Sequence, residues 1–229
     1  MKAVLDQARD NHWIDHNPVD DVKLPRSTVA TPRVYLTPGE IRMLANQVPE
    51  PHATLILTLA YTGVRIGEAL ALRVGDLDSD RRRLNVTKTQ SVDVRLHAIE
   101  TLPKGNRTRT VPYPTGLEAR LLALCEGRSQ DAYLFRAPRG GCWQVNNWRS
   151  RVWRPLLRDV GMDDIEGLSI HSLRHSYASI AIKNGCDVKT LQTILGHASA
   201  TETLDTYADL WPDRLGEVAD AMNMDLTGA

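Results

Sequence analysis

One stretch of strand-like sequence, between residues 83 and 111, separates two blocks in which apolar residues recur at helical spacing. Within it, residues 83–90 and 92–102 alternate or carry β-branched side chains, and Lys104-Gly105-Asn106 predicts a turn into a third strand that ends at Val111. Such short neighbouring strands predict a small antiparallel sheet. The expected fold class is therefore α+β, with a mainly helical domain and one three-stranded antiparallel sheet.

The helical blocks carry clear start and stop signals. Thr37-Pro38-Gly39-Glu40 is a capping box, in which Thr37 caps the helix and Glu40 reaches back, so the first helix of the main domain starts there and ends by Pro49. Glycine and proline separate the helices that follow. These are predicted at 51–61, 65–72, 115–126, 143–159, 171–184, 187–195, 200–209 and 212–224.

The first 32 residues form a separate segment. Apolar side chains in residues 3–15 fall near one helical face, and Asn17-Pro18 then stops the helix. Residues 19–36 have no sustained period and contain two prolines, which is typical of a linker. Because one helix cannot bury its apolar face alone, we expect residues 1–32 to be the end of a domain that is mostly missing, and the main domain to span 33–229.

Composition excludes several classes of protein. The chain is 42% hydrophobic and 24% charged, which is ordinary for a globular domain and unlike a disordered, collagenous or coiled-coil chain. The longest apolar stretch, residues 53–64, is shorter than the roughly 20 residues that a membrane span needs. Three widely separated cysteines predict neither a disulfide framework nor a zinc cluster, and no secretory signal opens the chain, so we expect a reducing cytoplasm.

Charge is balanced over the whole chain but not along it. Lysine plus arginine and aspartate plus glutamate both number 28, yet residues 81–158 hold 16 basic and 5 acidic side chains, an excess of eleven. A polyanion attracts such an excess, because neutralised phosphates release their condensed counterions. An arginine-rich face that is merely solvated has the same composition. Charge alone leaves both interpretations open.

His171-Ser172-Leu173-Arg174-His175 lies at a predicted helix start, with both histidines and Arg174 on one face. Taken alone, this is typical of a polar surface face. The two histidines also have the i, i+4 spacing of a zinc-binding helix, but Ser172 stands where that motif carries its general-base glutamate, which argues against a metal site.

Other candidate groups have ordinary explanations when each is taken alone. Arg65 and Glu68 can form an i, i+3 pair on a helix surface. His197, after Leu195-Gly196, is favourable beside the negative end of a helix dipole. Tyr207 is one of six tyrosines and could lie in the core, and Lys104 could be a solvated loop tip.

Their order along the chain gives these segments a joint meaning. From about Thr37 to the end, the chain resembles the tyrosine recombinases, the phage integrase family, in five motifs that together are very specific. These motifs are Thr62-Gly63-Val64-Arg65-Ile66-Gly67-Glu68-Ala69-Leu70, Lys104-Gly105-Asn106, His171-Ser172-Leu173-Arg174-His175, Leu195-Gly196-His197 and Tyr207. By the same resemblance, residues 1–32 correspond to the last helix of a core-binding domain and the interdomain linker.

The resemblance implies a catalytic set without metal or cofactor. It consists of catalytic arginines Arg65 and Arg174, catalytic lysine Lys104, histidines His171 and His197, nucleophile Tyr207, and supporting acid Glu68. Lys88 is a rival for the lysine. Lys88, Arg107 and Arg109 are further expected to contact nucleic acid.

The residue types suit cleavage of a DNA phosphodiester. The two arginines would stabilise charge on the phosphate oxygens, His171 would accept the tyrosine proton, and Lys104 would protonate the leaving 5′ hydroxyl. A 3′-phosphotyrosine intermediate keeps the bond energy, so rejoining needs no ATP.

The resemblance also implies the setting of the reaction. It is a homo-tetramer on two double-stranded DNA sites in the bacterial cytoplasm, associated with the nucleoid, with a possible directionality factor and a host DNA-bending protein and no membrane. Three alternatives are a type IB topoisomerase, a catalytically idle DNA-binding module and a metallohydrolase. The last would use His171, His175 and His197.

Overall fold

The computed structural model describes residues 2–20, 22, 32–92, 98–103, 108–138, 140–212 and 222–223. The chain divides into two compact units, Met1–Pro32 and Arg33–Ala229. In the first unit, α1 spans Lys2–Asp10, which is shorter than the predicted helix over residues 3–15. It ends early because His12 takes a positive φ of 57°, which no α-helix accommodates. That this unit belongs to a core-binding domain stays a prediction.

The second unit confirms the α+β class: about half of it is helical, and a small antiparallel sheet lies between the helical blocks. Its helices are α2 (Pro38–Asn46), α3 (His52–Thr62), α4 (Ile66–Ala71), α5 (Thr115–Cys125), α6 (Val145–Trp148), α7 (Arg154–Asp159), α8 (Ile170–Lys183), α9 (Val188–Leu195) and α10 (Ala200–Tyr207). A π-helical turn, Arg149–Trp153, joins α6 to α7 and interrupts the helix predicted over residues 143–159.

The strands are β1 (Leu77–Asp78), β2 (Arg83–Val86), β3 (Thr89–Val92), β4 (Ala98–Thr101) and β5 (Arg109–Pro112). The three-stranded sheet has the order β1-β2-β5 and is antiparallel throughout, with Leu84 opposite both Leu77 and Val111. Strands β3 and β4 form a separate antiparallel pair. The predicted strand membership was therefore wrong in part. Residues 83–90 split into two strands, and β1, not the 92–102 segment, completes the sheet.

Helix α3 is the centre of the core and sets the depth of the site. Most of its apolar side chains are buried. Two buried threonines donate to the carbonyl four residues earlier, Thr58 to Thr54 at 2.8 Å and Thr62 to Thr58 at 2.6 Å. The helix packs against α2 and α8 and ends at Gly63, which has a φ of +68°. A Cβ at this glycine would lie 2.5 Å from Cδ1 of Tyr177, so the turn needs both the glycine conformation and its lack of a side chain.

The capping box of the second unit is confirmed. The Thr37 hydroxyl accepts from the Glu40 amide at 3.3 Å, and the Glu40 carboxylate accepts from the Thr37 amide at 2.7 Å. Two other predictions concern residues that the structure does not describe. The turn at Lys104-Gly105-Asn106 lies outside the described residues, as does most of the tail helix predicted over residues 212–224. Across the described ranges, the helices are all too short or too polar to cross a membrane.

Candidate active site

Motif residues that are far apart in sequence meet at the ends of four helices. Arg65 directly precedes α4, Arg174 lies in the second turn of α8, His197 follows α9, and Tyr207 is the last residue of α10. The rings of His197 and Tyr207 stack almost in parallel, with centroids 6.4 Å apart. We call this convergence the candidate site.

Arg174 is buried at the base of the candidate site, with 2% of the residue exposed. It donates from Nη1 to the Gly63 carbonyl at 2.6 Å and from Nη2 to the Leu195 carbonyl at 2.7 Å. Both carbonyls stand at helix C-termini, where backbone oxygens lack intrahelical partners and the dipole is negative. Burial, followed by the charge of Arg65, lowers the pKa of Arg174 to about 9. The guanidinium therefore remains cationic at neutral pH.

Glu68 is a buried carboxylate shared by two arginines. It accepts from the Arg65 amide at 2.8 Å, from Arg65 Nη1 at 3.0 Å, and from Arg109 Nη1 and Nη2 at 3.0 and 2.7 Å. Burial alone would raise the pKa of Glu68, but the hydrogen bonds and charges of Arg109 and then Arg65 lower it overall. Glu68 is therefore ionised and holds the Arg65 side chain in one direction.

Arg109, expected to contact nucleic acid, faces the interior of the protein. Only 7% of its side chain is exposed, because the guanidinium binds Glu68 through both terminal nitrogens. Its Nε also donates to the Ile194 carbonyl at 2.7 Å. The guanidinium is thus already paired inside the protein, and a contact between Arg109 and DNA stays a prediction.

Tyr207 is 2% exposed, and its hydroxyl lies 2.8 Å from Nδ1 of His175. Burial raises the pKa of Tyr207 to about 12, although the nearby Arg174 charge opposes this. Burial, and then His171, lowers the pKa of His175 to about 4. With a neutral imidazole and a protonated phenol, the hydroxyl donates to Nδ1 in one histidine tautomer and accepts from Nδ1–H in the other.

His175 is the functional candidate that the sequence interpretation missed, since it was considered only as an alternative zinc ligand. A signal was present: four residues separate it from His171 on the same helix face. The two rings meet edge to face with centroids 4.7 Å apart. His175 also contacts the ring of Tyr35 edge to face, at 6.3 Å between centroids.

The two predicted histidines differ in environment. His197 is buried, and its Nδ1 pairs with the Thr203 hydroxyl at 2.8 Å. Burial first, then the charge of Arg174, lowers the pKa of His197 to about 4. His171 lies at the start of α8, where lost hydration beside neighbouring protein atoms, and then the charge of Arg174, lower its pKa to about 4. Part of the residue is open to solvent, which screens part of this effect. Both imidazoles are neutral at pH 7 and can accept protons.

The predicted basic contacts are only partly placed. Lys104 and Arg107 lie outside the described residues. Lys88 follows β2, is 42% exposed, and forms a long ion pair of 3.8 Å with Glu100. Among the described residues, histidine, cysteine, aspartate and glutamate form no cluster of three that could hold a metal ion.

Comparison with known proteins gives a consistent result. The sequence profile described as "Phage integrase family" matches residues 35–214. The chain is 25% identical over 242 residues to the ICEBs1 integrase of Bacillus subtilis, covering 97% of this chain and 63% of that protein. It is 28% identical over 212 residues to tyrosine recombinase XerA of Pyrococcus furiosus, covering 91% of this chain and 65% of that protein. The chain therefore spans less than two thirds of the length of these relatives.

The fold also has solved counterparts. A structure of the Tn1549 transposon integrase in complex with a circular intermediate DNA superposes with a TM-score of 0.70. The alignment covers 98% of this chain and 76% of that one at 23% identity, a level at which the likeness concerns the fold.

Proposed function

This chain belongs to the phage integrase family, and from that premise we propose that it is a site-specific DNA recombinase. It cuts and rejoins DNA by transesterification through a 3′-phosphotyrosine intermediate. The observation that carries the proposal is the position of Tyr207. Its hydroxyl is bonded to a neutral imidazole, its ring is stacked on His197, and the charges of Arg174 and Arg65 act on it.

The arginines supply the positive charge that a metal ion supplies in other phosphoryl-transfer sites. Arg65 uses its amide and Nη1 on Glu68, and 23% of its side chain is exposed, so its outer edge is free to donate to a phosphate oxygen. Arg174, at the base of the candidate site, supplies a second cation. Donors that are fixed in advance are typically worth a few kcal/mol each in the transition state.

Tyrosine attack requires the removal of a proton, because the pKa of Tyr207 is about 12 and a phenol is a weak nucleophile at pH 7. His171 is the proposed base, and its neutral state allows it to accept that proton. The tyrosine oxygen then bonds to phosphorus as the bond to the 5′ oxygen breaks. Lys104 protonates the 5′ oxygen, and the reverse sequence joins the strand to a new 5′ hydroxyl.

The remaining elements of the proposal concern partners. The substrate is double-stranded DNA, and the active form is a homo-tetramer on two sites in the bacterial cytoplasm. A DNA substrate is supported by the Tn1549 transposon integrase, which was solved in complex with a circular intermediate DNA. A directionality factor and a host DNA-bending protein are possible accessory partners. Residues 1–32 are proposed as the end of a core-binding domain, which agrees with the division into compact units at Pro32.

The test is covalent trapping on nicked DNA. Random DNA duplexes that bind this chain are enriched to give a target sequence. This DNA is nicked, so that the cut strand diffuses away and the adduct accumulates. We expect a covalent band that forms in excess EDTA and disappears in Tyr207→Phe. Tyr177→Phe is the matched control, because Tyr177 is a partly buried tyrosine whose pKa, like that of Tyr207, is raised to about 12. An adduct mapped to Tyr177, or activity restored by zinc or magnesium after chelation, would refute the proposal.

A further inference from the structure

Arg109 directs its side-chain hydrogen bonds inward, to elements that are distant in sequence. It lies on β5, the strand that begins shortly after Lys104, and its three nitrogens bind two different elements. Two nitrogens bind both oxygens of Glu68, 41 residues away, and Nε binds the carbonyl of Ile194, 85 residues away. The side chain therefore joins β5 to α4 and to the end of α9.

Each of these contacts stands one step from a group of the proposed reaction. Glu68 is the carboxylate that fixes Arg65. Ile194 is next to Leu195, whose carbonyl accepts from Arg174. Two neighbouring carbonyls at the end of α9 are thus each held by a buried arginine, one from β5 and one from α8.

The turn that carries His197 rests on the same guanidinium. Gly196 has a φ of +66°, and a Cβ there would lie 3.0 Å from Cδ, Nε and Cζ of Arg109. The backbone can approach the guanidinium this closely only because residue 196 is a glycine. His197 is the next residue, so the position of Arg109 helps to fix the backbone from which the His197 imidazole extends.

We propose that Arg109 is a positioning residue for strand cleavage, which locks Arg65 through Glu68 and His197 through the Ile194–Gly196 turn into one arrangement. This inference rests on the proposed function. With 7% of its side chain exposed, Arg109 acts on the phosphate through these neighbours and not by contact. The three bonds need a planar group with donors in a fixed fork, which lysine does not have.

The experiment compares single-turnover adduct formation at saturating nicked DNA for the full chain and its variants. Arg109→Lys keeps the charge beside Glu68 but cannot bind both carboxylate oxygens and the Ile194 carbonyl together. We expect its rate to fall at least about tenfold, while the DNA affinity and its salt dependence remain those of the unaltered chain. Arg83→Lys is the matched control, an exposed arginine on the neighbouring strand, and should change neither quantity.

Two measurements distinguish a positioning role in cleavage from a purely structural role of Arg109. Rates are measured at a temperature where urea titration shows each variant to be folded, with Arg109→Gln as the second variant if Arg109→Lys does not fold. Arg109→Gln, Glu68→Gln and the double variant then form a cycle on the rate constant. If Arg109 acts through Glu68, the double variant is about as slow as the slower single variant, whereas independent defects multiply.

Different results would contradict different parts of the proposal. A salt dependence whose slope falls by about 0.9 in Arg109→Gln, which removes the charge, would show a direct phosphate contact. An unchanged rate in Arg109→Lys would overturn the positioning role, and defects that multiply in the double variant would overturn its action through Glu68. Failure of the unaltered chain to form any adduct refutes the proposed function itself, while an adduct formed at full rate by Arg109→Lys refutes only the role of Arg109.

Discussion

Acidification should destabilise this protein through its buried histidines well before most carboxylates titrate. The pKa of His197 is lowered to about 4, by burial first and by Arg174 second, whereas a histidine in the unfolded chain titrates near 6.5. Between these two values the unfolded chain binds the proton and the folded chain does not. The free energy of unfolding therefore falls as the pH drops from about 6.5 to about 4, and His197 contributes no further loss below that.

The magnitude follows from the difference between the two pKa values. Each unit of difference between the folded and unfolded pKa is worth about 1.36 kcal/mol. His197 therefore lowers the free energy of unfolding by about 3 kcal/mol across this pH window, as an upper value. It is the best single reporter because it is 7% exposed. His171 has a pKa lowered to a similar value, but it is exposed and solvent screens its neighbours, so we expect less from it.

Urea unfolding at fixed pH steps from 7.5 to 4 measures this dependence. The unaltered chain and His197→Gln should differ in slope between pH 6.5 and 4, with the variant losing less stability because it has no imidazole to protonate. Carboxylates titrate in both proteins, so the difference between the two curves isolates His197. If the two curves run parallel across this window, the assigned environment of His197 is incorrect.

Three further results are expected. Tyr207→Phe should abolish the covalent adduct and leave noncovalent DNA affinity nearly unchanged in a band-shift assay. It should also lower the free energy of unfolding by about 1–2 kcal/mol in urea denaturation, since Nδ1 of His175 loses its hydrogen-bond partner. Lys104→Ala should slow cleavage strongly on normal DNA but far less on DNA with sulfur at the 5′ bridging position, and equal defects on both would argue against proton donation. Gly63→Ala should cost more than about 2 kcal/mol in thermal unfolding, because the added Cβ meets the Tyr177 ring at a positive φ; an unchanged melting temperature would contradict this.

Local signals predicted most helix boundaries of the main domain to within a few residues. The capping box starts α2, and the glycine at 63 ends α3, because these boundaries are set by hydrogen bonds and backbone conformations within a few residues. Strand partners were predicted less well. Leu77–Asp78 lies in an acidic, turn-like segment and becomes a strand only because Leu84 pairs with it and buries its side chain in the core. Two residues are too few for any periodicity to indicate a strand.

The candidate site, like the fold, was predicted only in part. The resemblance, carried by residue types and their order, grouped Arg65, Arg174, His197 and Tyr207, and the structure places these four residues near one another. Their supporting contacts could not be read in this way. The bond between His175 and Tyr207 spans 32 residues of sequence and depends on how α8 and α10 pack, which no local pattern encodes.

Under the proposed function, burial of the Tyr207 hydroxyl guards against unwanted strand cleavage. The phenol is 2% exposed and bonded to its own neighbour. A phosphate that diffuses past the site does not reach the phenol in this arrangement, so we expect cleavage to wait until binding of the DNA substrate draws the tyrosine out.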